Sequence, residues 1–171
     1  MALRTILEFP DPRLRTRAQP VTEFDPGLGT LIDDLFETMY VAPGIGLAAT
    51  QVDVHKRVIV IDISKDRTGQ LALVNPEILS REGEDDMEEG CLSFPKVYGT
   101  IRRAVKVKAR YRDLDWNEKT VDLDGFVARI LQHELDHLNG IVFIDRMSPA
   151  DLAKNKPRLD EMKKAAKALR A

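Results

Sequence analysis

Residues 124–140 read DGFVARILQHELDHLNG, and the way this stretch folds decides what must surround it. Asp124 is a good helix-capping residue and Asn139-Gly140 a good C-terminal stop, so the spacing predicts a helix between them. Residues four apart share a helix face. His133 and His137 therefore fall on one row with Ile130 and Phe126, and Glu134 falls on the next with Val127, Leu131 and Leu138. Both rows are otherwise apolar, and the polar face runs through Arg129, Gln132 and Asp136. Three ionisable groups thus project toward the core, where an unpaired charge is costly. The bland account is a pair of core histidines beside a glutamate that reaches for solvent. The sharper one is a divalent metal held by both imidazoles of an HExxH pattern, with Glu134 as general acid/base. Burial raises a carboxyl pKa, which suits a group that must take a proton and return it.

Working outward, Asp25-Pro26 opens an earlier helix, Leu28, Leu31, Ile32, Leu35, Phe36, Met39 and Tyr40 follow helical spacing, and Pro43-Gly44 ends it. RVIVIDI (57–63) and QLALVNP (70–76) are short and rich in β-formers, so they read as strands. In AVKVKARYR (104–112) apolar and basic residues alternate, as in a half-exposed strand, with 119–123 as its partner across DLDWNE. IVFID (141–145) reads as another strand. Ser148-Pro149 starts a last helical segment, interrupted near Pro157. The class is α+β: short β-sheets packed around a central HExxH-bearing helix, with an N-terminal and a C-terminal helix.

The chain has 171 residues, 43% of them hydrophobic and 32% charged, which suits one domain over 1–171 with a basic helical tail at 150–171. A formal charge of -2 does not point to nucleic acid. No run is long and apolar enough to span a bilayer, and the first residues lack the order of a signal peptide. A single cysteine excludes an internal disulfide and suits a reducing compartment, with the cytoplasm as the default, a trimmed organelle protein as the alternative that would look the same, and no membrane partner.

A catalytic metal site needs a third protein ligand and one open position. No histidine follows His137, and His55, flanked by polar residues, reads as a surface group. Cys91, in EEGCLSFP, is the better candidate, since a thiolate binds soft or borderline ions strongly; its alternative is a small buried hydrophobe. GIGLAATQ (44–51) has no Lys-Ser/Thr after its glycines, which weakens a phosphate-loop reading. Its small residues suit close approach by an extended peptide, and the Gln51 amide could donate to an oxyanion; an ordinary turn fits the same residues.

Taken together, GIGLAATQ, EGCLS and HELDH resemble, in order, the three motifs of peptide deformylases: Gly-x-Gly-x-Ala-Ala-x-Gln, Glu-Gly-Cys-x-Ser and His-Glu-x-x-His. All fixed positions are met, and the likeness extends to about Asp145. The resemblance implies that Cys91, His133 and His137 bind the metal and Glu134 is the general acid/base. It implies that Gln51 and the backbone N–H of Leu92 meet the oxyanion, and that Gly44, Ile45 and Gly46 pair with the substrate as an added strand. By helix geometry Ile130 lines the methionine pocket, whereas Arg129 stays on the polar face. The implied reaction removes the formyl group from the N-formyl-methionyl end of nascent polypeptides and releases formate. The implied cofactor is one divalent ion, Fe2+ natively, with Ni2+, Co2+ or Zn2+ as other occupants. The tail carries seven Lys or Arg between Lys154 and Arg170 against two acids, a solvated face or a docking surface for the anionic ribosome. Two other functions share some of these features. A metalloendoprotease needs a ligand downstream of HExxH, and a peptide-binding module with a structural metal needs a fourth ligand.

Overall fold

The structure, a computed structural model, describes residues 2–170. Met1 and Ala171, the ends of the expected 1–171 domain, lie outside the described residues. Helix α1 (Pro26–Val41) begins where the Asp25 carboxylate accepts a hydrogen bond from Leu28 N at 2.8 Å. It buries Leu28, Leu31, Ile32, Leu35, Phe36 and Met39 as the spacing predicts, and Asp34 and Thr38 besides, while Tyr40 is only partly buried. Seven strands follow: β1 (Gly46–Ala48), β2 (Val58–Ile61), β3 (Leu71–Glu82), β4 (Asp85–Cys91), β5 (Phe94–Arg103), β6 (Lys106–Arg112) and β7 (Glu118–Asp124). Helix α2 (Gly125–Leu138) carries the histidines, and α3 (Pro149–Arg170) closes the described chain.

Five strands form an antiparallel sheet in the order β1-β2-β3-β6-β7, while β4 and β5 form a separate hairpin. Successive side chains on a strand point to opposite faces. Val58 and Val60 accordingly join the α1 core with Leu35 and Leu47, while Ile59 and Ile61 join the α2 core with Leu131 and Leu138. The β2 segment is apolar throughout because helices cover both of its faces. At the other end, β6 buries Val107 and Ala109 and exposes Lys106 and Lys108, opposite Asp124 and Asp122 of β7. A third core joins the hairpin to α3 through Phe94, Val97, Ile101, Phe143, Leu159 and Met162. Strand β1 is an edge strand: one side pairs with β2, Gly46 opposite Ile61, and no strand takes the other among the described residues.

Four expectations need correction. Residues 141–145 are not a strand; Phe143–Arg146 form a 3-10 turn. Phe143 is drawn inward, its ring 5.1 Å from that of Phe94 and 5.8 Å from that of His133. Helix α3 runs through Pro157 without interruption. It is pinned on both sides of the proline, by Asn155 Nδ2 donating to Tyr98 O (2.7 Å) and Arg158 Nε donating to Pro95 O (3.0 Å). Strand β3 continues past Pro76 to Glu82, with an irregularity between Val74 and Glu77 absorbing the missing donor. Finally, α2 has no polar face toward solvent beyond its first turn: Arg129, Gln132 and Asp136 are all buried, under the hairpin. That hairpin was not legible as strands because most of its first member, DDMEEGC, is acidic and exposed. No helix among the described residues is long and apolar enough to cross a membrane.

Candidate metal centre

Cys91 ends β4, and His133 and His137 lie one turn apart on α2. One ligand-capable atom from each lies within 4.8 Å of the other two. Cys91 Sγ is 3.3 Å from His137 Nε2, and the imidazole centroids are 5.3 Å apart. His55 is not part of the group; its Nε2 contacts Asp53 Oδ1 at 2.9 Å.

Charge around the trio is arranged by Glu89. Burial pushes its carboxyl up, but hydrogen bonds from His133 and Arg103 outweigh this and hold its pKa at about 2. An ionised carboxylate only accepts, so His133 Nδ1 donates to Glu89 Oε1 (2.9 Å) and Nε2 remains for the sulfur side. Burial, together with the charge on His133, keeps His137 below the usual imidazole range. Burial would lower His133 as well, yet the Cys91 sulfur and the nearby carboxylates raise it. Sulfur and carboxylates thus favour positive charge at His133, while His137, held neutral, keeps a lone pair to offer a cation. Soft sulfur and borderline nitrogen donors fit a transition-metal ion. Glu134 is pushed up to about 7 by burial, partly offset by His133 and Arg103. Its Oε1 is buried without a hydrogen-bond partner among the described residues.

Cys91 and His133 line a cleft of about 600 Å³. Gly44, Ile45, Gly46, Gln51, Cys91, Leu92, Ile130, His133 and Glu134 all line it; His137 alone of the residues named from the sequence does not. Gln51 is fixed at both ends of its amide. Oε1 accepts from Ala48 N (3.0 Å), and Nε2 donates to Ser93 Oγ (3.0 Å) and lies 3.8 Å from Cys91 Sγ. Gly46 is required by space: a Cβ there would lie 2.6 Å from Ile130 Cγ2 and 2.8 Å from Glu134 Oε2.

A family model described as polypeptide deformylase matches residues 3–153. The chain belongs to the peptide deformylase family. The peptide deformylase of Chromobacterium violaceum is 49% identical over 164 residues, covering 96% of this chain and 98% of that protein. That of Cellvibrio japonicus is 50% identical over 166 residues, with the same coverage. A crystal structure of a peptide deformylase from Legionella pneumophila superposes with a TM-score of 0.90 at 47% identity, covering 96% of this chain and 98% of that one. As a peptide deformylase this protein is a hydrolase of protein biosynthesis, removing the N-formyl group from newly made polypeptides. It is a metalloenzyme, and the Cys91, His133 and His137 group is a metal-binding arrangement.

Sequence reasoning missed part of this deformylase's site. Glu89 is a fixed position of the EGCLS motif, but its neighbours alone did not reveal a partner. Arg129, expected on a polar face, is 3% exposed and lines the cleft. Asp136 is buried beneath Arg103 and Arg146, accepting at 2.9 Å and 2.6 Å. The available signal was the basic pair Arg102-Arg103 at the end of β5, which implied a carboxylate partner within the fold.

Proposed function

We propose that Cys91, His133 and His137 hold the deformylase's divalent ion, ferrous iron natively, with nickel, cobalt or zinc as other cations the same donors accept. When bound, the ion supplies a Lewis acid that polarises the formyl carbonyl and makes water more acidic. Glu134 takes the proton from the attacking water and delivers it to the departing amine. Its buried, unpartnered Oε1 and a pKa of about 7 support that role. Gln51 Nε2 and the backbone N–H of Leu92 face the charge that grows on the formyl oxygen. Both residues line the cleft beside Cys91, and Gln51 is held there by Ala48 and Ser93. The free side of β1, which starts at Gly46, and the place of Gly44 and Ile45 on the cleft just before it support main-chain pairing of the substrate along Gly44, Ile45 and Gly46. Ile130, at the cleft wall, receives the methionine side chain.

The observation that carries this reading is the convergence of the three ligand atoms within 4.8 Å at a cleft that Glu134 also lines. Incubating the protein with formyl-Met-Ala and following formate tests it. Glu134→Gln should keep its metal and lose about 10²–10⁴-fold in turnover, the usual contribution of a general acid/base; undiminished turnover removes Glu134 from its role. The reading extends to one catalytic domain, acting in the cytoplasm on N-formyl-methionyl nascent chains, with the exposed lysines of α3 docking on the ribosome.

A further inference from the structure

We propose that Arg129 is a positioning residue for the metal centre: it latches the β4–β5 hairpin to α2 and so fixes where Cys91 meets His133 and His137. This rests on those three residues being the ligands. Cys91 and the histidines come from separate pieces of the fold. The hairpin shares no strand pairing with the five-stranded sheet, so the sheet does not set its distance from α2. Apolar packing through Phe143 and polar bridges from α2 do so together.

Arg129 stands one helical turn before His133, and its guanidinium reaches both strands of the hairpin. Nη1 donates to Glu89 Oε2 (2.6 Å) and to Ile101 O (2.9 Å). Nη2 donates to Asp85 Oδ1 (2.7 Å) and Asp85 O (3.0 Å). Four acceptors spread over β4 and β5 suit the flat fork of arginine; an ammonium is a poor substitute. Other bridges run beside it: His133 Nδ1 donates to Glu89, Gln132 pairs with the backbone of Ala104, and Arg103 pairs with Asp136, but of these α2 side chains Arg129 alone reaches both strands. Glu89 is the joint between the two systems. It receives Arg129 and Arg103 from one side and His133 Nδ1 from the other, only two residues before Cys91. Arg129 lines the cleft at this point with both terminal nitrogens engaged.

Partners of metal-ligating histidines typically change affinity about 10–100-fold when removed. Arg129→Met keeps the stem and removes the donors. Glu89 retains Arg103 and His133, so no buried charge is stranded and the fold should survive. Arg129 acts through Glu89, so the expected result is a Co2+ or Zn2+ dissociation constant raised about 10-fold in chelator competition, the low end of that range, with an altered visible spectrum of the cobalt form. Asp85→Asn, at a half-exposed partner, should change affinity in the same direction by less, and carries the test if Arg129→Met does not fold. A wild-type dissociation constant in Arg129→Met overturns the proposal, whatever its melting temperature. His137→Ala separates the two readings: metal binding unchanged there would mean that the ligands are misassigned, independently of the latch.

Discussion

Gly46 shows how little room the chemistry leaves. Ile130 is buried on α2, so its Cγ2 cannot withdraw from a methyl group built 2.6 Å away. Gly46→Ala should therefore destabilise the protein by about 1–3 kcal/mol, as overpacking does. Its methyl group also presses on Glu134, so formate release should fall more than stability alone accounts for; a thermal melt alongside the formate assay checks both. Gly44→Ala should be milder, because the atom it meets at 2.7 Å is the mobile end of Leu92. At this scale the trio and Glu134 were legible because each sits in a short motif with its own spacing. Arg129 was not, because its partners Ile101 and Asp85 lie 28 and 44 residues away, across a hairpin whose first strand is acidic and shows no apolar alternation.

Among the elements, the N-terminal segment does most with least regular structure. Ala2 N and Arg4 Nε donate to the Asp34 carboxylate of α1 at 2.7 and 3.0 Å. Further on, Leu7 N donates to Gln51 O (2.7 Å) and Phe9 N to Ser93 O (2.8 Å), so the segment ties α1 to the residues that hold the Gln51 amide. The hydrogen bond from Ala2 N, with Arg4 assisting and burial opposing, keeps the Asp34 pKa below its ordinary 3.8. A carboxyl whose pKa is depressed by folding adds stability above its unfolded pKa and loses it as the pH falls through the folded one. Asp34→Asn should thus cost about 1.5–3 kcal/mol near neutrality, the range for hydrogen bonds to a charged group. The gap between the two proteins' denaturant midpoints should shrink as the pH drops below about 4. Helix α3 carries a separate expectation. Leu159 and Met162 are buried, so deleting the helix would open the third core. Replacing exposed Lys164 and Lys167 with glutamate leaves that packing alone. This should weaken binding to ribosomes in a salt-dependent way, by about 1 log unit of affinity per lost phosphate contact for each tenfold in salt, while formyl-Met-Ala turnover is unchanged.

Across the whole molecule, three cores meet where the ligands converge. The α2 core supplies the histidines, the hairpin-α3 core supplies Cys91, and the α1 core backs Gly44 through Leu92. A ligand that binds only the folded state stabilises by about 4 kcal/mol at a thousandfold excess over its dissociation constant. Stripping the ion with a chelator should lower the melting temperature, and restoring Zn2+ or Co2+ should reverse the shift. The general class was readable from the sequence, because the amphipathic spacing of α1 and the apolar run of β2 are set by what they bury. The path of 141–146 was not, because Val-Phe-Ile is equally apolar in a strand or a turn and only Phe94 and His133 decide. The vacant side of β1 has one more consequence. If the substrate pairs there as proposed, a docking edge made of amides and carbonyls greets every polypeptide with the same handshake, whatever side chains follow its first residue. One enzyme of this design would then serve many different chains as a generalist.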